Sequence, residues 1–427
     1  MILSEKRFSE IINIFIVLII STIFFRVLCT WIMILFVVFN LFFFKRLHFT
    51  KKAFILILCI SSPFLLELLF FWNNSSLYEG LKTAEKTVSL LLLPLCIIGN
   101  RNRINLYKII DSYVFTTLTL MLILFVGFMI ISPKFFDVYL KGQELWEVGY
   151  EFAKSFGMHA PVLNMHLAFI AVCCFWFVLN SLKNKNNVKL IFNVLLGLLS
   201  FFFVLFVNTR MALGTTLVGV AIVFFYEVII KYNLYKTILI FLVSITIGLG
   251  TFYLYIQKNP YMKVKYFDVT LVHMDKINKL DLIEKPEVEV FNSLVTRLSI
   301  WNSSWELSKK NLLLGVGSAD SKNELFEYYR QTNQMFLYKY KFPVHNQFLD
   351  STLRFGIFGF LGVLLYLLTI GYIGFVKKNS IILGLFLIFT LSNLTDDFLI
   401  LFHGIVFSGF WASIFACYYL ENDKSSL

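Results

Sequence analysis

Long apolar runs separated by short polar connections make up most of this chain. The runs lie near residues 11–25, 27–44, 53–72, 81–99, 109–132, 161–181, 190–208, 212–230, 237–256, 347–375, 380–395 and 398–419. Most are close to the roughly 20 residues that a helix needs to cross a bilayer core, and they are continuous rather than alternating. A spanning segment must satisfy its own backbone. The pattern therefore predicts an all-α polytopic membrane bundle of about 12 helices, with ten to twelve as the range.

One long polar stretch, residues 257–345, interrupts this series. It divides the chain into residues 1–256, with about nine membrane helices, and residues 346–427, with about three. We expect the stretch to form a large, mainly helical loop outside the membrane. The first half has no counterpart to this loop, and no internal repeat is visible. This argues against the two-fold repeat that is typical of many transporters.

The composition agrees with a membrane protein and excludes several other classes. Hydrophobic residues make up 58% of the chain, charged residues only 15%, and the mean hydropathy is +0.76. All six cysteines lie within apolar runs and none forms a C-x-x-C pair, so a disulfide framework or a zinc site is not expected. The sequence also lacks the pattern of a nucleoside triphosphate loop and a basic, aromatic module for nucleic acid.

The basic residues predict the orientation. Short connections on one side of the bundle carry 17 of the 38 basic residues, namely Lys6, Arg7, Lys45, Arg46, Lys51, Lys52, Arg101, Arg103, Lys108, Lys183, Lys185, Lys189, Lys231, Lys236, Lys377, Lys378 and Lys424. The positive-inside rule places this side, and both termini, in the cytoplasm. The loop of residues 257–345 is then on the outer face. The net charge of +12 largely reflects this topology.

Three residues are candidates for chemistry on the outer face. Arg210 follows an apolar helix, where a permanent cation is costly and usually marks either function or a paired structural site, unless it only snorkels to the headgroups. Arg297 is four residues before Trp301, so both lie on one face of a helix, either binding an anion or packing the loop onto the membrane. His345 ends the polar stretch after a proline and could accept a proton, although it could also be a simple helix-start residue.

Other polar residues give weaker signals. His159 and His166 flank Pro161 at an outer helix start, where they could line a substrate path, although a structural role is more common. Asp396 and Asp397 could hold a metal, but adjacent carboxylates in a turn are usually solvated. The glycines of Leu314-Gly315-Val316-Gly317 form a turn too short for a phosphate loop.

Together these features resemble the O-antigen ligase and O-antigen polymerase family of bacterial inner-membrane glycan transferases. The resemblance rests on the order and spacing of three segments, which are Asn208-Thr209-Arg210, then Arg297-Leu298-Ser299-Ile300-Trp301 with Leu314-Gly315-Val316-Gly317, and finally His345-Asn346-Gln347-Phe348-Leu349 with Gly356 and Gly359. They cover roughly residues 200–375. The N-terminal helices resemble those of the family only in being apolar.

The resemblance implies a site and a reaction. His345 would act on the acceptor hydroxyl, and Arg210 and Arg297 would bind the diphosphate of a polyprenyl (undecaprenyl) diphosphate glycan donor. Asn346, Arg354 and Trp301 are possible supporting residues. The resemblance implies a metal-independent, inverting glycosyltransferase of lipopolysaccharide or polysaccharide biosynthesis, without a cofactor. Its partners would be the lipid-linked donor, membrane lipids, and either lipid A-core or a second lipid-linked glycan as acceptor, with no nucleic acid.

Several alternatives stay open at this stage. One large outer loop favours a ligase that acts on lipid A-core, whereas many polymerases resemble each other in having two. A protein-glycosylating relative is a third possibility. A transporter or lipid flippase would need ionisable residues in mid-membrane, and nearly all charges here lie at helix ends. A non-catalytic scaffold requires that Arg210, Arg297 and His345 do not meet.

Overall fold

The computed structural model describes residues 4–229, 239, 246, 250, 253–254, 256–264, 270–291 and 293–421. All regular secondary structure among these residues is helical, which confirms the all-α prediction. The α-helices are α1 Glu5–Thr22, α2 Arg26–Phe42, α3 Lys51–Ile60, α4 Ser62–Leu69, α5 Leu77–Thr87, α6 Ser89–Gly99, α7 Leu106–Ile131, α8 Pro133–Leu140, α9 Leu145–Ser155, α10 Ala160–Lys183, α11 Asn187–Val207, α12 Arg210–Phe224, α13 Pro260–Lys263, α14 Pro286–Glu289, α15 Leu294–Lys310, α16 Ser321–Gln331, α17 Met335–Tyr340, α18 Gln347–Phe355, α19 Ile357–Val376, α20 Ser380–Asn393 and α21 Phe402–Leu420. Short 3₁₀ turns occupy Phe44–Arg46, Phe71–Asn73, Arg101–Arg103, Met274–Lys276, Leu280–Leu282 and Phe398–Ile400, and a π-turn, Phe225–Ile229, extends α12.

Within the described residues, six helices are long and apolar enough to cross a membrane, or seven if the bent pair α3–α4 counts as one span. The six are α7, α10, α11, α12 with its extension, α19 and α21. This confirms a multi-pass membrane protein. The predicted count of about 12 is not confirmed. The run predicted at residues 237–256 lies largely outside the described residues.

Several predicted runs fold as two shorter helices rather than one span. The run at 53–72 bends by 69° between α3 and α4, where Pro63 begins the second helix. A proline is tolerated in the first turn of a helix but cannot continue one. The run at 347–375 divides at Gly356, whose φ of 63° favours glycine and ends α18. Hydropathy alone therefore merged helices that backbone geometry separates.

The centre of the bundle is formed by α10 and α21. In their most apolar windows, 78% and 89% of the residues are buried, against 28% in α7 and α11. Phe407 and Trp411 of α21 pack on Phe169 of α10. We interpret α7 and α11, which expose much of their apolar surface, as lipid-facing helices.

The described residues of the segment 257–345 pack on α18 and on the connection before α21, a region called here the loop end. In the described part of this segment, α15, α16 and α17 enclose a small core of their own. That core consists of Leu280, Ile283, Val290, Val295, Ile300, Leu307, Leu325, Tyr329, Phe336, Leu337, Phe342, Val344 and Leu353. Its last member belongs to α18, so the same apolar cluster joins the loop to the helix that follows it. The predicted division at residues 256 and 345 stays a prediction.

Backbone contacts hold the glycine turn of residues 314–317 against the end of α18. The Val316 N–H donates to the Leu353 carbonyl at 2.8 Å, and the Gly317 N–H donates to the Arg354 carbonyl at 3.1 Å. A Cβ on Gly315 would lie 2.3 Å from the Arg354 carbonyl carbon. The turn therefore needs glycine for close backbone packing, and it fixes α18 relative to the loop.

Candidate functional site

A single turn, residues 394–397, brings several of the predicted site residues together. It connects α20 to the 3₁₀ turn before α21. The Asn346 amide donates to the Leu394 carbonyl at 3.0 Å, and the Arg297 guanidinium donates to the Thr395 carbonyl. The Nδ1 atom of His345 lies 3.3 Å from Oδ1 of Asp396. Arg297, His345 and Asn346 thus meet at this turn, although they come from different helices and connections.

Local structure fixes the position of His345. Its φ is 52°, a conformation that non-glycine residues adopt rarely and usually with a structural or functional reason. The next residue, Asn346, caps α18 by accepting hydrogen bonds from the Phe348 and Leu349 N–H groups at 3.0 and 3.1 Å. The Trp301 indole donates to the His345 carbonyl at 3.3 Å. The imidazole itself is 26% exposed, so one edge of the ring faces solvent.

Asp396 orients the His345 ring. Because Asp396 lies beside Nδ1, it favours the tautomer with the proton on that atom and leaves Nε2 for a substrate. Burial alone would raise the pKa of Asp396. Hydrogen bonds with His345 and Asp397 outweigh burial, and the pKa of Asp396 is lowered. We therefore expect an ionised Asp396 beside His345 at neutral pH.

Asp397 differs from its neighbour. Its burial, and then the hydrogen bond and negative charge of Asp396, raise the pKa of Asp397 well above its usual range. Two adjacent buried carboxyls cannot both ionise easily, so one keeps its proton. Both side chains are buried, with 5% exposure each. The expectation that this pair is simply solvated was wrong.

Among the described residues, one group of three side chains could hold a metal ion. His345, Asp396 and Asp397 each offer a donor atom, and these atoms all lie within 4.8 Å of one another. His345 already interacts with the Asp396 oxygen that would serve as a ligand, and the Arg297 cation contacts the same turn. The sequence-based prediction that no metal takes part stays a prediction.

Arg297 and Trp301 lie on one face of α15, as their spacing predicts. Arg297 contacts the carbonyl of the Asp396 turn, and Trp301 contacts the His345 backbone. Trp305, one turn further on, is exposed. Trp301 thus packs the loop helix against the connection before α18, and the role of Arg297 in binding an anion stays a prediction.

Arg210 begins α12 immediately after a tight turn. Asn208 adopts the left-handed conformation with a φ of 56°, and the Asn164 amide donates to the Thr209 hydroxyl at 2.8 Å. A Cβ on Gly149 would lie 2.6 Å from the Val207 carbonyl oxygen, so α9 packs directly on this turn. Neighbouring backbone and side chains therefore fix the start of α12 and its arginine.

Tyr150 of α9 links the two arginines. Burial raises the pKa of Tyr150, the Asp396 charge raises it further, and the charges of Arg297 and Arg210 lower it. Charges act strongly only over short distances in a partly buried site. The charges of Arg210, Arg297 and Asp396 therefore all act on one tyrosine, and His345 lies beside Asp396. We call the region between them the outer cleft.

Arg354 occupies a second, sealed cluster. Its guanidinium lies 2.8 Å from Asp350 and 3.2 Å from Glu67, and all three side chains are buried. The Thr83 hydroxyl donates to Glu67 at 2.9 Å. These contacts join α18 to the bent pair α3–α4 and to α5. Arg354 is thus paired inside the protein, away from the exposed edge of His345.

Comparison with known proteins identifies the region that carries this geometry. The family model described as O-antigen ligase matches residues 195–364. Residues 195–364 belong to the O-antigen ligase family. The match confirms the resemblance seen in the sequence and supports a membrane glycosyltransferase of the ligase and polymerase type, whose substrates are lipid-linked glycans. A search of the curated proteins found no match to the chain.

The O-antigen ligase region includes Arg210, Arg297 and His345, but other residues of the cleft lie outside it. Tyr150 and His159 precede the matched residues, and Asp396 follows them. The sequence showed the Asp396-Asp397 pair but gave no sign of its burial. One signal was present, because both aspartates are in a short connection predicted to lie on the same side as His345.

Proposed function

We propose that this protein transfers a glycan from a polyprenyl-diphosphate lipid to an acceptor hydroxyl on the periplasmic face of the bacterial inner membrane. The acceptor we favour is lipid A-core, which would make the protein an O-antigen ligase. The observation that carries this proposal is the oriented His345–Asp396 pair in a cleft that Arg297 and Arg210 also reach. The basic connections support an outward position for the loop end and a cytoplasmic position for both termini.

Each group has a role that suits its chemistry. Nε2 of His345 would remove the proton from the acceptor hydroxyl as its oxygen attacks the anomeric carbon. The bond from that carbon to the diphosphate breaks, and the diphosphate leaves with the bonding electrons. Arg210 and Arg297 would bind the phosphate oxygens through planar, charge-assisted hydrogen bonds. Attack from the side opposite the leaving group would invert the anomeric carbon.

Electrostatic stabilisation of the leaving group explains the proposed lack of a metal requirement. Fixed cations aimed at developing negative charge are among the largest contributions to catalysis. Two guanidinium groups can therefore do what a divalent cation does in other diphosphate sites. Ionised Asp396 would in turn stabilise the imidazolium that forms on His345.

The transfer reaction can be tested with purified protein in detergent. The assay supplies a polyprenyl-diphosphate glycan and either lipid A-core or a second lipid-linked glycan, without ATP or added metal. Product on lipid A-core is the result we expect. A ladder of longer lipid-linked chains would instead identify a polymerase. Donor binding without transfer to either acceptor would reject both and favour a protein acceptor or a transporter.

A further inference from the structure

A second histidine, His159, lies at the outer cleft. It is the residue before α10, and Pro161 follows in the first turn of that helix. Its side chain is exposed, whereas Met158 and Ala160 on either side are buried. The imidazole ring lies edge-on to the ring of Tyr150, with 6.3 Å between centroids. His159 therefore shares the wall of the cleft with the tyrosine that links Arg210 to Arg297.

The electrostatic environment of His159 is that of the proposed reaction centre. Burial by surrounding protein lowers the pKa of His159, the Asp396 charge raises it, and His345 and Arg297 lower it further. Surrounding protein therefore removes part of the hydration of this exposed side chain. The charges of Asp396, His345 and Arg297 all act on His159. The net lowering favours a neutral imidazole.

Structural roles seen for other histidines do not apply to this one. His166 contacts the Tyr113 hydroxyl at 3.1 Å inside the bundle, and His273 contacts Glu289 at 2.8 Å in the loop. The His159 side chain does not cap the helix that follows it. The His159 ring forms no hydrogen bond with any residue that the structure describes, so its N–H group is available to a ligand.

We propose that His159 is a second substrate-binding histidine, which donates a hydrogen bond to the diphosphate of the lipid-linked donor. This proposal rests on the function proposed above. A neutral imidazole still offers one N–H donor, and the diphosphate oxygens keep free lone pairs after two bidentate guanidinium contacts. His159 therefore differs from His345, because it contributes to donor binding and takes no proton from the acceptor.

The proposal predicts a specific kinetic effect. His159→Ala should weaken donor binding roughly 10- to 100-fold, as expected for one lost hydrogen bond to a charged group. The turnover at saturating donor should stay within about threefold, since the base His345 is intact. His159→Gln, which keeps an N–H donor, should recover most of the lost affinity. Donor binding and steady-state transfer are measured on the same detergent-purified preparations.

The matched control is His273→Ala, which removes a histidine that pairs with Glu289 elsewhere in the loop. It should leave donor affinity unchanged. Wild-type affinity in His159→Ala would overturn the proposal, and so would a loss of turnover with unchanged affinity. Failure of the wild type itself to transfer a glycan would instead reject the proposed function. These results are distinguishable because the binding measurement does not depend on transfer.

Discussion

Two charge clusters lie close together at the loop end, and they differ in their exposure to solvent. In one, His345 contacts Asp396 and keeps about a quarter of its side chain exposed. In the other, Arg354 contacts Asp350 and Glu67, and no side chain of the three is more than 10% exposed. Each cluster includes an ion pair between distant parts of the chain, His345–Asp396 in the first and Arg354–Glu67 in the second. Only the first retains a polar edge that a substrate can reach.

This difference suggests that the His345 cluster contacts substrate and that the Arg354 cluster positions a helix. Buried ion pairs are costly to break because removal of one partner leaves an uncompensated charge. The Arg354 cluster therefore fixes α18, whose capping residue Asn346 follows directly after His345. The His345 cluster keeps an exposed imidazole edge, where the proposed proton transfer would take place. Arg297, which contacts the turn that carries Asp396, would bind substrate, whereas Arg354 holds α18 in place.

The largest expected effect comes from the sealed cluster. Arg354→Met leaves Asp350 and Glu67 without their cation and should lower the free energy of unfolding by about 3–5 kcal/mol. Thermal denaturation in detergent measures the change. The control is Arg330→Met, which breaks an exposed pair with Glu327 and should leave the stability nearly unchanged. Equal stability of the two variants would contradict a structural role for Arg354.

The next effect tests the two adjacent aspartates. Asp396→Asn removes the carboxylate beside His345 and should reduce turnover by about 100-fold. Asp397→Asn should reduce it by less than about tenfold, because the raised pKa of Asp397 keeps that side chain neutral, as asparagine is. Initial transfer rates of both variants provide the comparison.

The charge of Asp396 can also be tested as a function of pH. The lowered pKa of Asp396 keeps this group ionised as the pH falls from about 8 to about 5. Infrared difference spectra of wild type against Asp396→Asn should therefore show the carboxylate band of Asp396 at both ends of this range. A band that disappears toward pH 5 would show that Asp396 itself becomes protonated there.

A smaller effect is expected when the cleft arginines become lysines. Arg297→Lys and Arg210→Lys keep the charge but lose the planar fork, and each should raise the donor KM by about tenfold. Arg330→Lys, in the same loop, is the control and should leave KM unchanged. Unaltered donor dependence in both cleft variants would contradict the proposed diphosphate site.

Removal of metal ions is expected to have no effect on the transfer rate. Treatment of the purified protein with a chelator should leave the transfer rate unchanged, because guanidinium groups replace a metal in the proposed mechanism. The measurement compares rates before and after chelation and after addition of magnesium or manganese. A loss that either cation restores would assign His345, Asp396 and Asp397 to a metal site.

The family could be predicted from the sequence more readily than the number of membrane helices. The order and spacing of the segments around Arg210, Arg297 and His345 were enough to suggest it. The helix count was less accessible. Hydropathy does not register the bend at Pro63 or the break at Gly356, since both lie within continuous apolar runs.

Burial was the other property that the sequence could not provide. Asp396 and Asp397 are adjacent acidic residues in a short connection, and only tertiary packing buries them and places Asp396 beside His345. Tyr150 and His159 lie in a connection nearly 200 residues before His345 and have no motif of their own. The position of Tyr150 follows from the packing of α9 against the end of α11.

The central claim is that His345 is the base of an outward-facing glycan transferase, and one comparison tests it most directly. Transfer and donor binding are measured side by side for the wild type and for His345→Ala. The account predicts that the variant is folded and binds the donor with near wild-type affinity, while transfer falls by at least about 100-fold. Transfer by His345→Ala at the wild-type rate would contradict it.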